Sequence, residues 1–303
     1  MRERVLAVVG ALCLIALAIV VRGALSDKDE SGPDSDSNSS GSDLPVVACT
    51  EDLMSICDQL AKDDHIAKDP PTLELGQDVP DGVNAWITWD PAPRIAGFAI
   101  SQTNPRSVWT HVYGIAEAQL AAAGTSTSLQ SACGPTTKWK CIAEFVADGS
   151  NPIGLGSPTT SEGLARLNPV ATALIGEESD RALELRPAIK SPQNGQSDAR
   201  TMSRELVTRP GAVSLVVGPV GLLRPDAESE GGKNRKIKVE LPTPEAVANV
   251  VLATKTDNID SEGLCKRLTQ THLEPLGLRA ACGAPEIDET RAGFLFQIWK
   301  RFK

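Results

Sequence analysis

The stretch GLGSPTTSEGLA, residues 154–165, sets four hydroxyl residues, Ser157, Thr159, Thr160 and Ser161, between two glycines and an apolar helical stripe. Hydroxyls and free amides at a helix start can hold a polar ligand. They can equally serve as ordinary caps, and Thr159 with Glu162 fits a capping box. Gly154 and Gly156 suggest a phosphate loop, but no third glycine and no Gly-Lys-Ser/Thr completes a nucleotide fingerprint. Glu162 in the first turn already occupies the favourable end of the helix dipole, so a neutral or cationic ligand suits the turn better than an oxyanion.

The same pattern recurs in VVACTEDL, where Thr50 stands between a strand and a helix and is followed by Glu51 and Asp52. Ligands of open α/β sheets sit at such strand ends, although plain capping explains the residue too. Trp86 and Trp89 in AWITW are read as sharing one side of a strand, either stacking on a ligand or packing in the core. Asp90 reads as a cap for the helix beginning at PAPR. Catalytic constellations are missing: there is no G-x-S-x-G elbow, no H-E-x-x-H and no Cys–His pair. His65, His111 and His272 are far apart in sequence, so no catalytic residue, metal site or cofactor is expected.

Positioning these residues calls for alternating strands and helices. Strands are expected at 44–49, 72–76, 83–89, 152–156, 212–223 and around KVELP. Helices are expected after Thr50, from PAPR onward, and at 138–146, 160–175 and 243–256. Residues 107–124 are ambiguous, with a strand-like front half and an Ala-rich end. Residues 191–200 read as a polar loop and ESEGGKNRKIK as a charged one. The pattern gives an α/β domain with mainly parallel sheets flanked by helices.

Composition limits the partners. The 303 residues carry a net charge of -9 with 23% charged and 41% hydrophobic residues, and the pI is near 5.0. An acidic chain is a poor match for nucleic acid or for an anionic membrane surface. Arg2 and Arg4 precede a 17-residue apolar run, residues 5–21, and Arg22 follows it. That pattern holds the N-terminus in the cytoplasm and exports the rest. It reads as an uncleaved single-pass anchor over 1–26, although Ala24-Leu25-Ser26 loosely fits a signal-peptide cleavage site. Residues 27–43 are acidic and Ser-rich, a flexible tether. The expected location is therefore the cell membrane, with residues 44–303 extracytoplasmic.

Leaving Cys13 aside, six cysteines fall into three local couples: Cys49 with Cys57, Cys133 with Cys141, and Cys265 with Cys282. Fifteen pairings are possible. Locality and an oxidising compartment favour these three as disulfides over metal binding or free thiols.

The segments VVACTEDLMSICDQLA, VNAWITWDPAPR and KWKCIAEFV…NPIGLGSPTTSEGLARL, in that order, resemble the type II solute-binding fold. More narrowly, Asn84-Ala85-Trp86-Ile87 and residues 154–165 are similar to motifs of extracytoplasmic solute-binding-like proteins of actinobacterial envelopes. The resemblance implies two α/β lobes, about 44–105 plus 212–303 and about 106–211, closing on a small polar solute. By motif position it places Thr50, Thr88 and the 157–161 turn at the cleft. It also implies a membrane transporter or another envelope protein as partner. Departures are the three cysteine couples and the acids Glu51, Asp52 and Glu162 beside the expected binding amides. They leave open a second role, an envelope interaction or scaffolding module whose cleft is vestigial.

Overall fold

One strand, β3, is fifteen residues long and belongs to both sheets of the molecule. The computed structural model describes residues 44–100, 109–149, 151–175, 198–285 and 289–303, which fall within one compact unit. The anchor and tether expected at 1–43 lie outside these residues, as does most of the 191–200 loop. Among the described residues no helix is long and apolar enough to cross a membrane.

The strands are β1 (Val47–Cys49), β2 (Ala85–Trp89), β3 (His111–Thr125), β4 (Ile153–Gly154), β5 (Leu215–Pro219), β6 (Ile237–Glu240), β7 (Val247–Thr254) and β8 (Arg279–Gly283). The helices are α1 (Met54–Lys62), α2 (Ala92–Ile100), α3 (Ser126–Cys133), α4 (Trp139–Asp148), α5 (Ser161–Ile175), α6 (Ala199–Thr208), α7 (Val220–Glu228), α8 (Glu230–Asn234), α9 (Ser261–Arg267), α10 (Gln270–Leu273) and α11 (Glu289–Phe302). The strand order is β1-β2-β7-β3-β5-β4, with β6 and β8 also on β3. Residues 111–119 of β3 pair with β7, and β8 pairs alongside at 114–117. Residues 120–125 pair with β5 and β6. The chain thus forms one sheet group around β1, β2, β7 and β8 and another around β4, β5 and β6, both hung on β3.

The sheets are mixed rather than mainly parallel. Only β1 with β2 and β4 with β5 run parallel; the other pairs are antiparallel. The expectation failed chiefly at 243–256, which is not a helix. Thr243 and Pro244 look like a helix start, but Val247, Val250 and Val251 are β-branched and fit the pleat between β2 and β3. The Ala-rich end of 107–124 is strand as well. Ala121 and Ala123 pack in a cluster with Met202 and Leu206 on one face, while Ala122 and Ala118 face the main core. A strand covered on both faces favours small side chains, and burial overrides alanine's helix propensity.

Smaller differences follow the same logic. The strand expected at 212–223 stops at Pro219, and α7 begins at once. The strand expected at 72–76 is reduced to a bridge between Thr72 and Cys49. The charged loop at 229–236 contains α8, capped by Ser229 Oγ, which accepts from the Gly232 amide at 3.1 Å.

All three expected disulfides are present: Cys49–Cys57, Cys133–Cys141 and Cys265–Cys282. The first ties β1 to α1 directly behind Thr50. Intact mass of the oxidised chain should therefore rise by six hydrogens on reduction of these three bonds. Peptide mapping should recover only the three local pairs; Cys49 joined to any other cysteine would contradict the structure.

Candidate functional site

The seam between the two sheet groups is lined by polar side chains that the fold buries without pairing. Parallel pairing of β1 with β2 lets the Thr50 amide donate to the Ile87 carbonyl at 3.1 Å, which sets Thr50 beside Thr88. Strand alternation puts Asp90, two residues on, on the same face as Thr88. All three are at most 1% exposed. Thr50 Oγ1, Thr88 Oγ1 and Asp90 Oδ2 have no hydrogen-bond partner among the described residues. Asp90 Oδ1 is held by Arg94 Nε at 3.4 Å, so Asp90 forms an i,i+4 ion pair rather than a simple cap.

The facing wall is the start of α5. Gly156, at φ 89°, turns the chain out of β4. Thr160 rather than Thr159 supplies the cap: its Oγ1 accepts from the Gly163 amide at 3.1 Å and donates to the Ser157 carbonyl at 3.0 Å. Ser157 Oγ and Thr159 Oγ1 bond each other at 2.7 Å. The capping box expected of Thr159 and Glu162 does not form, because the Glu162 carboxylate reaches elsewhere. It accepts from the Ala199 amide at 3.1 Å and lies 3.7 Å from Arg166 Nη1. Ser161 is 1% exposed, and its Oγ is unpartnered. The turn closes tightly enough that a Cβ on Gly163 would stand 1.8 Å from the Ser157 carbonyl oxygen.

Arg166 was missed by sequence reasoning. It is fully buried; its Nε donates to the Val217 carbonyl at 2.7 Å and its Nη2 to the Gly154 carbonyl at 3.0 Å. One guanidinium thus ties α5 to the end of β4 and the middle of β5. Its Nη1 is left without a hydrogen bond, since 3.7 Å to Glu162 is an ion-pair distance only. The available signal was a lone charge between Ala165 and Leu167, on the apolar stripe of a helix.

Carboxylates meet across the seam. Burial raises the Asp52 pKa to about 6, against the lowering effect of its bond from Trp89 Nε1 at 2.5 Å. Burial likewise raises Glu162 to about 7, partly offset by Arg166 and reinforced by the charge of Asp52. Asp90 is raised to about 6 by burial, with Arg94 opposing. Glu74, whose Oε1 accepts from the Glu51 amide at 2.9 Å, is also raised by burial. Because Asp52 acts on Glu162, and Glu162 in turn on Glu74, the Thr50 turn and the start of α5 lie within electrostatic range of each other.

Of the sequence candidates, Thr50, Thr88 and Ser161 are buried along this seam. Ser157 and Thr159 are half-buried and bonded to each other, and Thr160 is exposed. The two tryptophans do not share a face, since three residues along a strand reverse the side chain. Trp86 donates to the Leu73 carbonyl and packs near Trp109, whereas Trp89 holds Asp52. Both are core residues.

No family model matches the sequence, and no curated protein does. Solved structures do. A ferric binding protein from Campylobacter jejuni aligns with a TM-score of 0.51 at 12% identity, covering 84% of this chain and 97% of that one. Iron-bound HitA from Pseudomonas aeruginosa aligns at 0.50 and 10%, covering 86% and 98%. A protein assigned as extracellular solute-binding from Bordetella parapertussis aligns at 0.50 and 10%, covering 86% and 99%. At such identities the likeness is one of fold: this chain has the α/β solute-binding fold, with a mixed sheet and flanking helices.

The raised acids make stability pH-dependent. The folded chain keeps protons on Asp52, Glu162 and Asp90 at pH values where the unfolded chain has released them. This contribution is full below the ordinary carboxylate range and lost as pH rises through 6 to 7. The ligand-free domain should therefore melt several degrees higher at about pH 5 than at about pH 7.5. Glu162→Gln should flatten that slope; an unchanged slope in the variant would contradict the assignment. Gly163→Ala should destabilise by about 2 kcal/mol or more in denaturant unfolding, because the Ser157 carbonyl cannot give way cheaply.

Proposed function

We propose that residues 44–303 form a two-lobed domain that closes on one small polar solute in the seam, displayed outside the cytoplasm by the N-terminal apolar run. In this reading residues 44–119 and 247–303 form one lobe and 120–246 the other, so the second lobe extends past the boundary at 211 drawn from sequence. Thr50, Thr88, Ser161 and the 157–159 hydroxyls contact the solute, with Asp90 and Arg166 beside them.

The observation that carries this reading is the set of buried polar atoms without partners: Thr50 Oγ1, Thr88 Oγ1, Ser161 Oγ, Asp90 Oδ2 and Arg166 Nη1. A buried polar group left unpaired costs about 1–3 kcal/mol, so a molecule that satisfies several at once gains their combined cost. The solute must offer both donors and acceptors. Four acids, Asp52, Glu74, Asp90 and Glu162, face two guanidiniums, Arg94 and Arg166, which favours a neutral or cationic solute over an oxyanion. Iron is not proposed: among the described residues no three His, Cys, Asp or Glu side chains gather to hold a metal ion.

The function is binding rather than catalysis. Delivery to a membrane transporter fits the solute-binding fold, as does kinship with the actinobacterial envelope proteins that its two motifs resemble. An envelope scaffolding role, with the seam permanently shut, is the reading to adopt if the seam takes no solute.

A thermal-shift screen of purified residues 44–303 against sugars, polyols, amines, amino acids and oxyanions tests the proposal. At least one neutral or cationic solute should stabilise saturably, by about 2.7 kcal/mol at a hundredfold over its Kd. Thr88→Val should weaken that solute about 2- to 10-fold, the worth of one hydrogen bond. Stabilisation by oxyanions alone, or by nothing in the screen, contradicts the proposal.

A further inference from the structure

At the other end of α5, away from Ser161, lies a cavity of about 540 Å³. Ligand pockets typically enclose roughly 300–1,000 Å³. None of the seam residues discussed above lines it. Its walls come from one sheet group and two helices: Glu117 and Asn249 from the paired strands β3 and β7, Asn168, Pro169 and Thr172 from α5, and Trp139 from α4.

The chemistry of the walls is specific. Trp139 Nε1 donates to the Pro244 carbonyl at 2.8 Å, which holds the indole in one orientation against the cavity. Pro169 and Pro244 add rigid apolar surface. The charges at the rim are already engaged. Glu117 is paired with Arg279 at 2.5 and 2.6 Å, Glu245 accepts from Gln119 at 2.7 Å, and Arg291 has its own contacts. What remains for a guest is the surface of the indole and the two prolines, and two side-chain amides. Asn168 Oδ1 accepts from Thr172 Oγ1 at 3.3 Å, leaving its NH₂ group, and Asn249 lines the cavity from β7.

We propose that this cavity is a second binding site, separate from the seam, for an uncharged molecule with a flat ring and an amide-like edge. The ring lies against Trp139 and the prolines, and the edge bonds Asn168 and Asn249. An anionic guest would face the carboxylates of Glu117 and Glu245, and a cationic one would have to compete with Arg279 and Gln119 for them.

Three near-isosteric probes separate the possibilities: benzamide (neutral), benzoate (anionic) and benzamidine (cationic). Each is tested by saturation-transfer NMR on the full-length chain in nanodiscs, with empty nanodiscs as the blank. Benzamide should bind, and both charged probes should bind at least about 5-fold more weakly, about 1 kcal/mol. Thr172→Trp fills the cavity from an exposed helix position, so it should fold normally and abolish benzamide binding. Thr88→Val, which alters only the seam, should leave benzamide binding unchanged, so that failure at one site is not mistaken for failure at the other. No benzamide signal on the folded wild-type chain overturns the proposal. So do equal or tighter binding of a charged probe, retained binding in Thr172→Trp, and loss in Thr88→Val.

Discussion

Everything in this molecule is arranged around the continuity of β3. A strand of fifteen residues rises about 3.4 Å per residue, so its two ends lie far enough apart to carry separate sheets. Its first half pairs with β7 and β8 and its second with β5 and β6. The register shift between Gly114 and Ala116 bends the strand where β8 joins it. Two groups of elements held by one shared strand must meet along a seam beside it, and α5 lies along that seam.

That geometry explains why polar side chains are buried there. The ends of β1 and β2 and the first turn of α5 expose backbone groups that a hydrophobic lining would leave unsatisfied, so hydroxyls and acids collect at them. Arg166 is the strongest such device, spending two of its donors on carbonyls at the end of β4 and the middle of β5. Burying Asp52, Glu74, Asp90 and Glu162 raises their pKa values, and with them the cost of keeping the seam shut when nothing fills it. In the proposed function, a solute that pairs these groups lowers that cost, which would make a closed arrangement a binding device.

Much of this was legible in the residues themselves. The three local cysteine couples, the strand-to-helix turns at Thr50 and Ser157, and the helices at 139–148 and 161–175 all follow from short-range pattern and capping chemistry. The sheet directions were not legible, because they depend on which distant strand each segment meets. VANVVLAT carries a valine pattern compatible with helix or strand, and only the open position between β2 and β3 decides it. The Ala-rich half of β3 misleads for a related reason: alanine propensity is a local quantity, whereas cover on both faces is a tertiary one. Within the seam, the hydroxyls were visible as motif members. Arg166 and Asp90 were not, because what distinguishes them is burial beside an element far away in sequence.

The central claim is that the Thr50 turn and the start of α5 hold one solute between them. Backbone hydrogen exchange over residues 50–54 and 157–164, measured by mass spectrometry with and without a pooled mixture of neutral and cationic polar metabolites, tests it most directly. The account predicts that both segments slow together and saturate at the same solute concentration. Exchange that stays unchanged in both, or slows in one segment alone while the chain remains folded, would contradict it.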